Sequence, residues 1–393
     1  MVVKNAQVIT PTQILNETDV EIINGKIAKI DKKINGTSVI DANGLYLAPG
    51  FIDIHTHGGY GGDFMDDCDE SFCSALRFHF ENGTTAILAS TATASVEKIV
   101  STINRTRRFM QLEPKLCRVL GCNIEGPYVS YKNKGAQNAE YLRVPSKDDY
   151  SFIIEHSDVI KNVTISPELD GAEKMVQELN HYGIMVSGGH DDALSDDIYP
   201  LLNKGMKNCT HWYCAMSTAK VVEGKRSVGL MEIGLLDERL NLELLADNHH
   251  LPPELVKLAY RMKGADKLCL VSDSLRCAGM PVDGKVYSLG AEDDENGTKF
   301  VVADGVARLI DGTRFAGSIQ PIRQMVKNLI FDCEIPICDA VRMASLTPAK
   351  LLGFSNELGS VEEGKKADLL LMDKDFNVVK TIIDGNIVFN REE

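Results

Sequence analysis

Two histidines two residues apart, His55 and His57, close the run Pro49-Gly50-Phe51-Ile52-Asp53-Ile54-His55-Thr56-His57. On an extended strand, residues i and i+2 face the same way, so both imidazoles can point into one site. Imidazole is a ligand for zinc, iron or cobalt, and a carboxylate completes or bridges such a centre. Further candidates end other short apolar runs: Glu125, His190, His211 and Asp273, with His250 a few residues past another. Of the nine histidines, six cluster at run ends, an alignment that scattered core or surface histidines would not produce. A glutamate that directly ends an apolar run is costly unless it is liganded or paired, so Glu125 is read as a metal ligand. A lone His-x-His pair also suits a surface strand, and Asp273 could merely cap a turn. Their convergence with four further ligand types favours a metal centre holding His55, His57, Glu125, His190, His211 and Asp273.

Three or four protein ligands leave a position for water, whose pKa falls to about 7 on zinc. A carboxylate beside it, Asp273, can act as general base toward that water and then as acid toward a leaving amine. Of His249 and His250 one faces solvent, and the residues alone do not choose between them. His79, His156 and His181 lie in helix-like segments away from the run ends and are read as packing or surface residues.

The elements that position these groups follow from the same runs. Eight short apolar stretches (51–54, 85–89, 117–124, 163–165, 183–187, 206–209, 240–246 and 267–271) alternate with amphipathic segments such as 70–82, 96–110, 171–182 and 253–263. Strand-then-helix units repeated eight times predict an α/β fold, a (β/α)8 TIM-like barrel, whose chemistry sits at the C-terminal ends of its strands. Both chain ends read instead as short strands and turns, with Asn24-Gly25 and Asp384-Gly385 as hairpin signals. The expected organisation is therefore a small β-sandwich domain built from residues 1–48 and 355–393, around a barrel domain of residues 49–354.

Composition sets the class. The chain has 393 residues, 44% hydrophobic and 25% charged, an ordinary globular balance. Its net charge of −14 repels nucleic acid and anionic membranes, so neither is expected as a partner. The N-terminus lacks a signal-peptide pattern, and no apolar run approaches the roughly 18 residues of a membrane span. Ten cysteines without an export signal read as reduced thiols of a cytoplasmic protein. Four pairs share one spacing (68/73, 117/122, 209/214 and 333/338), which is neither a zinc-knuckle nor a redox spacing.

These motifs, together with Ala344-Ser345-Leu346-Thr347-Pro348-Ala349 and the stretch from Gly359 to Asp368, resemble the amidohydrolase superfamily over essentially the whole chain. Within it they resemble the N-acetylglucosamine-6-phosphate deacetylases. Asn123-Ile124-Glu125-Gly126-Pro127-Tyr128 with Lys134-Gly135-Ala136-Gln137 is similar to the segment in which Glu replaces the modified lysine of other members. Ser187-Gly188-Gly189-His190 and Thr210-His211 match the two further histidine ligands, and Ala246-Asp247-Asn248-His249-His250 assigns His250 to the substrate. The resemblance implies one or two divalent metals per subunit and substrate contacts from Ala136, Gln137, Cys214, Ala215, Arg226, Asp247, His250, Phe315, Ala316, Gly317 and Ser318. It implies hydrolysis of an N-acetyl group, with Asp273 moving the proton and His250 stabilising the oxyanion.

Three departures stand out. The family's Asn near the phosphate is Cys214, so only backbone N–H groups of Cys214 and Ala215 can bind oxygen there. The Gly-Arg-Glu-Pro-Gly segment becomes Gly224-Lys225-Arg226-Ser227-Val228-Gly229. Arg226 keeps the phosphate role, reaching the neighbouring subunit's site in a homodimer, with Lys225 and Lys134 as weaker candidates. Asn248 replaces a glycine, and Asn tolerates left-handed backbone. Rival readings are a deacetylase for N-acetylgalactosamine-6-phosphate, a cyclic-amide or N-acyl amino acid hydrolase, and a non-catalytic scaffold.

Overall fold

The computed structural model of the chain describes residues 1–112, 116–294 and 296–391. Eight parallel strands hydrogen-bond in chain order: β1 (Phe51–Thr56), β2 (Thr84–Thr91), β3 (Arg118–Glu125), β4 (Ile160–Ile165), β5 (Met185–Gly188), β6 (Asn208–Cys209), β7 (Asn241–Leu244) and β8 (Leu268–Leu270). Each overlaps one of the apolar runs. Helices follow them in turn: α1 (Asp69–Glu81), α2 (Val96–Met110), α3 (Ser151–Glu155), α4 (Ala172–His181), α5 (Ser195–Lys204), α6 (Leu230–Leu236), α7 (Pro253–Lys263) and α8 (Ile322–Phe331). The strands read as continuous apolar runs because helices cover their outer side and side chains fill the interior; every residue of β2 is buried.

The ring closes beyond the end of β8. The Asp273 N–H donates to the His55 carbonyl at 2.9 Å, and the His57 N–H to the Ser274 carbonyl at 2.9 Å. Beneath this seam the buried Asp53 carboxylate accepts the N–H groups of His55 and Ser272, each at 3.2 Å. The seam therefore joins candidate ligands from the first and last strands directly.

Two polar or glycine interruptions of the runs have physical causes. At Gly121 the register of β3 against β2 shifts, φ is +153°, and a Cβ would lie 2.4 Å from the Val159 carbonyl oxygen. Only glycine fits that bulge. Asn208 belongs to a hydrogen-bonded ring inside the barrel. Ser90 Oγ accepts from Asn123 (3.0 Å), Asn123 from Asn162 (2.9 Å), and Asn162 from Ser187 (2.7 Å). Asn208 then donates both to Ser187 Oγ (2.9 Å) and to Glu243 Oε1 (2.8 Å). Glu243 meets His55 Nδ1 at 3.1 Å, and the Thr56 N–H returns to Ser90 Oγ at 3.0 Å. The ring visits strands β1 to β7 and contains no solvent-exposed side chain.

The two chain ends form one eight-stranded sheet. Its order runs through strands Asn386–Asn390, Val378–Ile383, Leu369–Met372, Tyr46–Pro49, Val2–Ile9, Ile14–Ile23 and Lys26–Asp31, with Val39–Asp41 pairing beside Val2–Ile9. Alternation divides its side chains. Val8, Leu47, Leu369 and Leu371 enter the sheet's own core, whereas Ile9, Ala48, Leu370 and Met372 join the barrel core. The last two residues of the expected terminal segment, 392 and 393, lie outside the described residues.

One element is new. After β8 the chain makes a four-stranded antiparallel excursion, Val286–Ser288, Lys299–Ala303, Val306–Leu309 and Phe315–Gly317, before reaching α8. Its central turn, Asp304-Gly305, has φ of 51° and 80°, the positive pair that a two-residue hairpin needs. Among the described residues no helix is long and apolar enough to cross a membrane.

Candidate metal centre and substrate cavity

The candidate ligands meet at the C-terminal mouth of the barrel. His55, His57 and Glu125 form one group with metal-ligand spacing, and Glu125, His190 and His211 form another. Glu125 is the shared member. Its Oε1 lies 3.0 Å from both His190 Nε2 and His211 Nε2, and its Oε2 lies 3.3 Å from His57 Nε2 and 3.6 Å from His55 Nε2. Asp273 Oδ1 stands 3.2 Å from His57 Nε2 and 3.8 Å from His55 Nε2.

Backbone strain helps to aim these groups. His190 (φ 50°), His211 (φ 26°) and Asp273 (φ 44°) all adopt left-handed conformations just past their strands. Such a backbone costs a non-glycine residue about 1–2 kcal/mol, and here it turns the chain over the barrel with the side chain directed inward. Asn248, in the position where the family has glycine, is also left-handed at φ 63°.

A cation fits this donor set. His190 Nε2 and His211 Nε2 are 3.0 Å apart with the same carboxylate oxygen between them. Buried His55 Nε2 makes no hydrogen bond among the described residues, the nearest carboxylate oxygen, Glu125 Oε2, lying 3.6 Å away. His55 Nδ1 faces Glu243, and His190 Nδ1 faces the Asn133 carbonyl at 3.0 Å. Each contact places the ring proton on Nδ1 and leaves the Nε2 lone pair for the centre. Burial alone would push the Glu125 carboxyl up, but His55, His190 and His211 hold it well below the carboxylate range. Burial likewise disfavours charge on His55 and His57. Glu125 and Glu243 nevertheless raise His55 well above the usual imidazole value, while Asp273 and Glu125 raise His57 to about 9. Burial opposes ionisation of Asp273 too, and His57 and His55 outweigh it, keeping that carboxyl below its ordinary value.

A cavity of about 500 Å³ opens over the centre, lined by His57, Glu125, His190, His211, His250 and Asp273 among others. The remaining expected contacts distribute unevenly. Ala136, Gln137, Cys214, Ala215, Phe315, Ala316 and Gly317 all line it. Gln137 Nε2 donates to Glu125 Oε2 at 2.8 Å while its side-chain Oε1 accepts the Thr93 N–H at 2.7 Å. Of the neighbouring histidines it is His250 that lines the cavity, its Nδ1 2.8 Å from Asp247 Oδ2, and Phe315 packs against its ring. Asp247 thus reaches the cavity only through His250. Ser318 is buried behind the wall, where its N–H donates to the Asp273 carbonyl at 2.9 Å. The Cys214 N–H is taken by the His211 carbonyl at 3.0 Å, so of the two backbone donors expected to bind oxygen only that of Ala215 lacks an acceptor among the described residues. Arg226 sits on the exposed hairpin Lys220–Val222 and Lys225–Ser227, outside the cavity lining of its own chain.

Several residues escaped the sequence reading. Glu243 and Asn133 contact the candidate ligands His55 and His190 from behind. Glu243 had a signal, since a glutamate inside an apolar run needs a partner. His79 is in α1 as read, yet buried against Thr56 Oγ1 at 2.9 Å beneath the centre, where burial lowers its pKa to about 3. Arg314, from the new excursion, lines the cavity near Lys134 and has no ion pair or hydrogen bond from its guanidinium among the described residues.

Comparison with known proteins places the chain. The model of the amidohydrolase family matches residues 46–388. An N-acetylglucosamine-6-phosphate deacetylase of Vibrio furnissii is 34% identical, covering 88% of this chain and 83% of that protein. An N-acetylgalactosamine-6-phosphate deacetylase of Escherichia coli O157:H7 is 29% identical over 98% of both chains. Among solved structures, an aspartate-to-alanine variant of the Mycobacterium smegmatis N-acetyl-D-glucosamine-6-phosphate deacetylase, in complex with N-acetyl-D-glucosamine-6-phosphate, superposes with a TM-score of 0.88. It is 26% identical and covers 99% of both chains.

Proposed function

This chain belongs to the amidohydrolase family, and from that premise we propose that it hydrolyses N-acetylglucosamine 6-phosphate to acetate and glucosamine 6-phosphate. The observation that carries this reading is the meeting, in one cavity, of two ligand groups joined through Glu125 with Asp273 and His250 on the wall. The Vibrio relative and the complexed Mycobacterium enzyme support the substrate.

Zinc, iron or cobalt, as one or two ions held by His55, His57, Glu125, His190, His211 and Asp273, would acidify water and polarise the amide carbonyl. The chain's own groups do the rest. Asp273, kept ionised by His57 and His55, accepts the proton of the attacking water and returns it to the amide nitrogen as the C–N bond breaks. The water oxygen leaves in acetic acid, which gives its remaining proton to solvent as acetate, and the amine departs neutral. His250, steadied by Asp247, is assigned the acetyl carbonyl oxygen. Phe315, Ala316 and Gly317 bound the sugar and acetyl group. The Ala215 N–H, Arg314 and Lys134 hold the 6-phosphate from within the chain, and Arg226 reaches it from a second copy in a homodimer. Ten free thiols, three of them not fully buried and one exposed, fit a reducing cytoplasm.

The test is acetate release from the two epimeric N-acetylhexosamine 6-phosphates after loading with each metal. The gluco epimer should react faster. Faster turnover of the galacto epimer would favour the second reading, which the Escherichia coli relative supports. Acetate from neither would remove the deacetylase assignment.

A further inference from the structure

The polar ring inside the barrel has no part in the chemistry just described, and its composition is unusual for a barrel interior. Such interiors are normally packed with branched apolar side chains. Here Ser90, Asn123, Asn162, Ser187, Asn208 and Glu243 occupy one level, all fully buried, and each is hydrogen-bonded to the next. Each of these side chains has at least one partner in the ring, Asn208 Oδ1 alone of their oxygens accepting no bond among the described residues, and such a linked buried set holds its members rigidly.

The ring has a direction. Amide donors pass the bonding from Asn123 back to Ser90, and at the other end Asn208 donates to Glu243. Glu243 is the single charged member. Its Oε1 is filled by Asn208, and its Oε2 accepts the His211 N–H at 3.0 Å and faces His55 Nδ1 at 3.1 Å. The Glu243 backbone carbonyl also accepts the Trp212 N–H at 2.8 Å, fixing the turn that carries His211. One side chain therefore touches a ligand of each metal-binding group. Among the described residues His55 has no other partner at Nδ1, and its buried Nε2 makes no hydrogen bond.

We propose that Glu243, locked in place by the Ser90-to-Asn208 ring, is a positioning residue that fixes His55 as the Nδ1–H tautomer and ties the His55 and His211 sides of the metal centre together. A glutamine in its place has the same shape but the wrong chemistry. One end of its amide carries hydrogens, so it cannot satisfy Asn208, the His211 N–H and the His55 Nδ1–H at once. His55 would then carry its proton on Nε2, inside the centre, where a metal needs a lone pair. The inference requires the metal-binding reading of this site, but no particular substrate.

Three variants and two readouts decide it. Nitrogen-15 spectra of the histidine side chains in metal-free protein, followed to a pH high enough that His55 is neutral, report which ring nitrogen keeps the proton, and chelator competition reports metal affinity. In Glu243→Gln we expect the His55 signals to move to the Nε2–H pattern and affinity to fall by about 10–100-fold. Glu243→Asp should recover part of that loss, because it restores an acceptor-only group. Asn208→Ala leaves Glu243 in place and removes only its ring contact, so affinity should fall by a smaller factor without loss of folding. Unchanged His55 signals and unchanged affinity in Glu243→Gln would overturn the proposal. Should Glu243→Gln fail to fold, Asn208→Ala decides, and an affinity equal to the parent's would overturn it. If the parent binds no metal, the metal-centre reading itself falls, while the His55 spectrum still judges the tautomer.

Discussion

The floor and the mouth of the cavity are built in opposite ways. The floor consists of fully or nearly fully buried candidate ligands at the ends of five of the eight barrel strands, backed by Glu243, Asn133 and Asp53. The mouth is assembled from pieces far apart in the chain: the loop with Lys134, the turn with Cys214 and Ala215, and Arg314 on the excursion after β8. Floor residues are each held by several partners, whereas the Arg314 guanidinium is held by none among the described residues. A rigid floor with an adaptable rim is how one barrel serves many substrates, since chemistry stays with the strand ends and selectivity with the loops.

That division can be broken in order of severity. The largest effect should come from Asp273→Asn. We expect kcat to fall by about 10²–10⁴-fold, the usual weight of a positioned acid–base group, with metal content by elemental analysis unchanged. Turnover within a few-fold of the parent would remove Asp273 from the proton path. At the mouth, Arg314→Ala and Arg226→Ala should each raise KM for the phosphorylated sugar by roughly tenfold, as expected for a charge-assisted contact, with much smaller changes in kcat. Arg226 should act only in the dimer, so its effect is read in mixtures with a catalytically dead partner chain. A large loss of kcat in either arginine variant would show that rim and floor are not separable.

The smallest effect lies under the floor. His79 has a folded pKa of about 3, below the roughly 6.5 of an unfolded histidine. Between those values the unfolded chain binds the proton and the folded one does not. Stability is therefore fully present above about 6.5 and lost as pH falls toward 3. His79→Gln should flatten that part of the slope, measured by denaturant unfolding at several pH values between 7 and 4. An unaltered slope would mean that His79 takes no part in the acid sensitivity of the barrel.

The same contrast explains what was legible in the sequence. His55, His57, Glu125, His190, His211 and Asp273 could be read because they end apolar runs, and a barrel gathers strand ends at one face. Most of the eight strands were readable because they lie within largely apolar runs that call for burial on both sides, whereas the short β6, Asn208–Cys209, was marked by its place in the alternation rather than by its own residues. Glu243, Asn133 and Arg314 were not, because their roles depend on which neighbour stands across the barrel or over the rim, and spacing along the chain does not encode that. Arg226 shows the limit from the other side: its place in the motif resemblance says where it should act, but nothing within one chain brings it there. The excursion between β8 and α8 left only turn signals such as Asp304-Gly305, which announce hairpins without saying that they would wall a cavity.

The sheet made from both chain ends has a consequence for synthesis. Strand Tyr46–Pro49 runs into β1 after Gly50 alone and pairs with Leu369–Met372, while the Gly50 and Ile52 N–H groups bond to the carbonyls of Asp368 and Ala344. A ribosome that has released the first sixty or so residues has therefore made β1 and its histidines without the strand that anchors them. Until the last tenth of the chain emerges, Tyr46–Pro49 offers an open, apolar edge of the kind that pairs with foreign strands. Contacts spanning more than 300 residues also make the final step a slow one. The earliest candidate ligands to be made, His55 and His57, are thus among the last to be fixed.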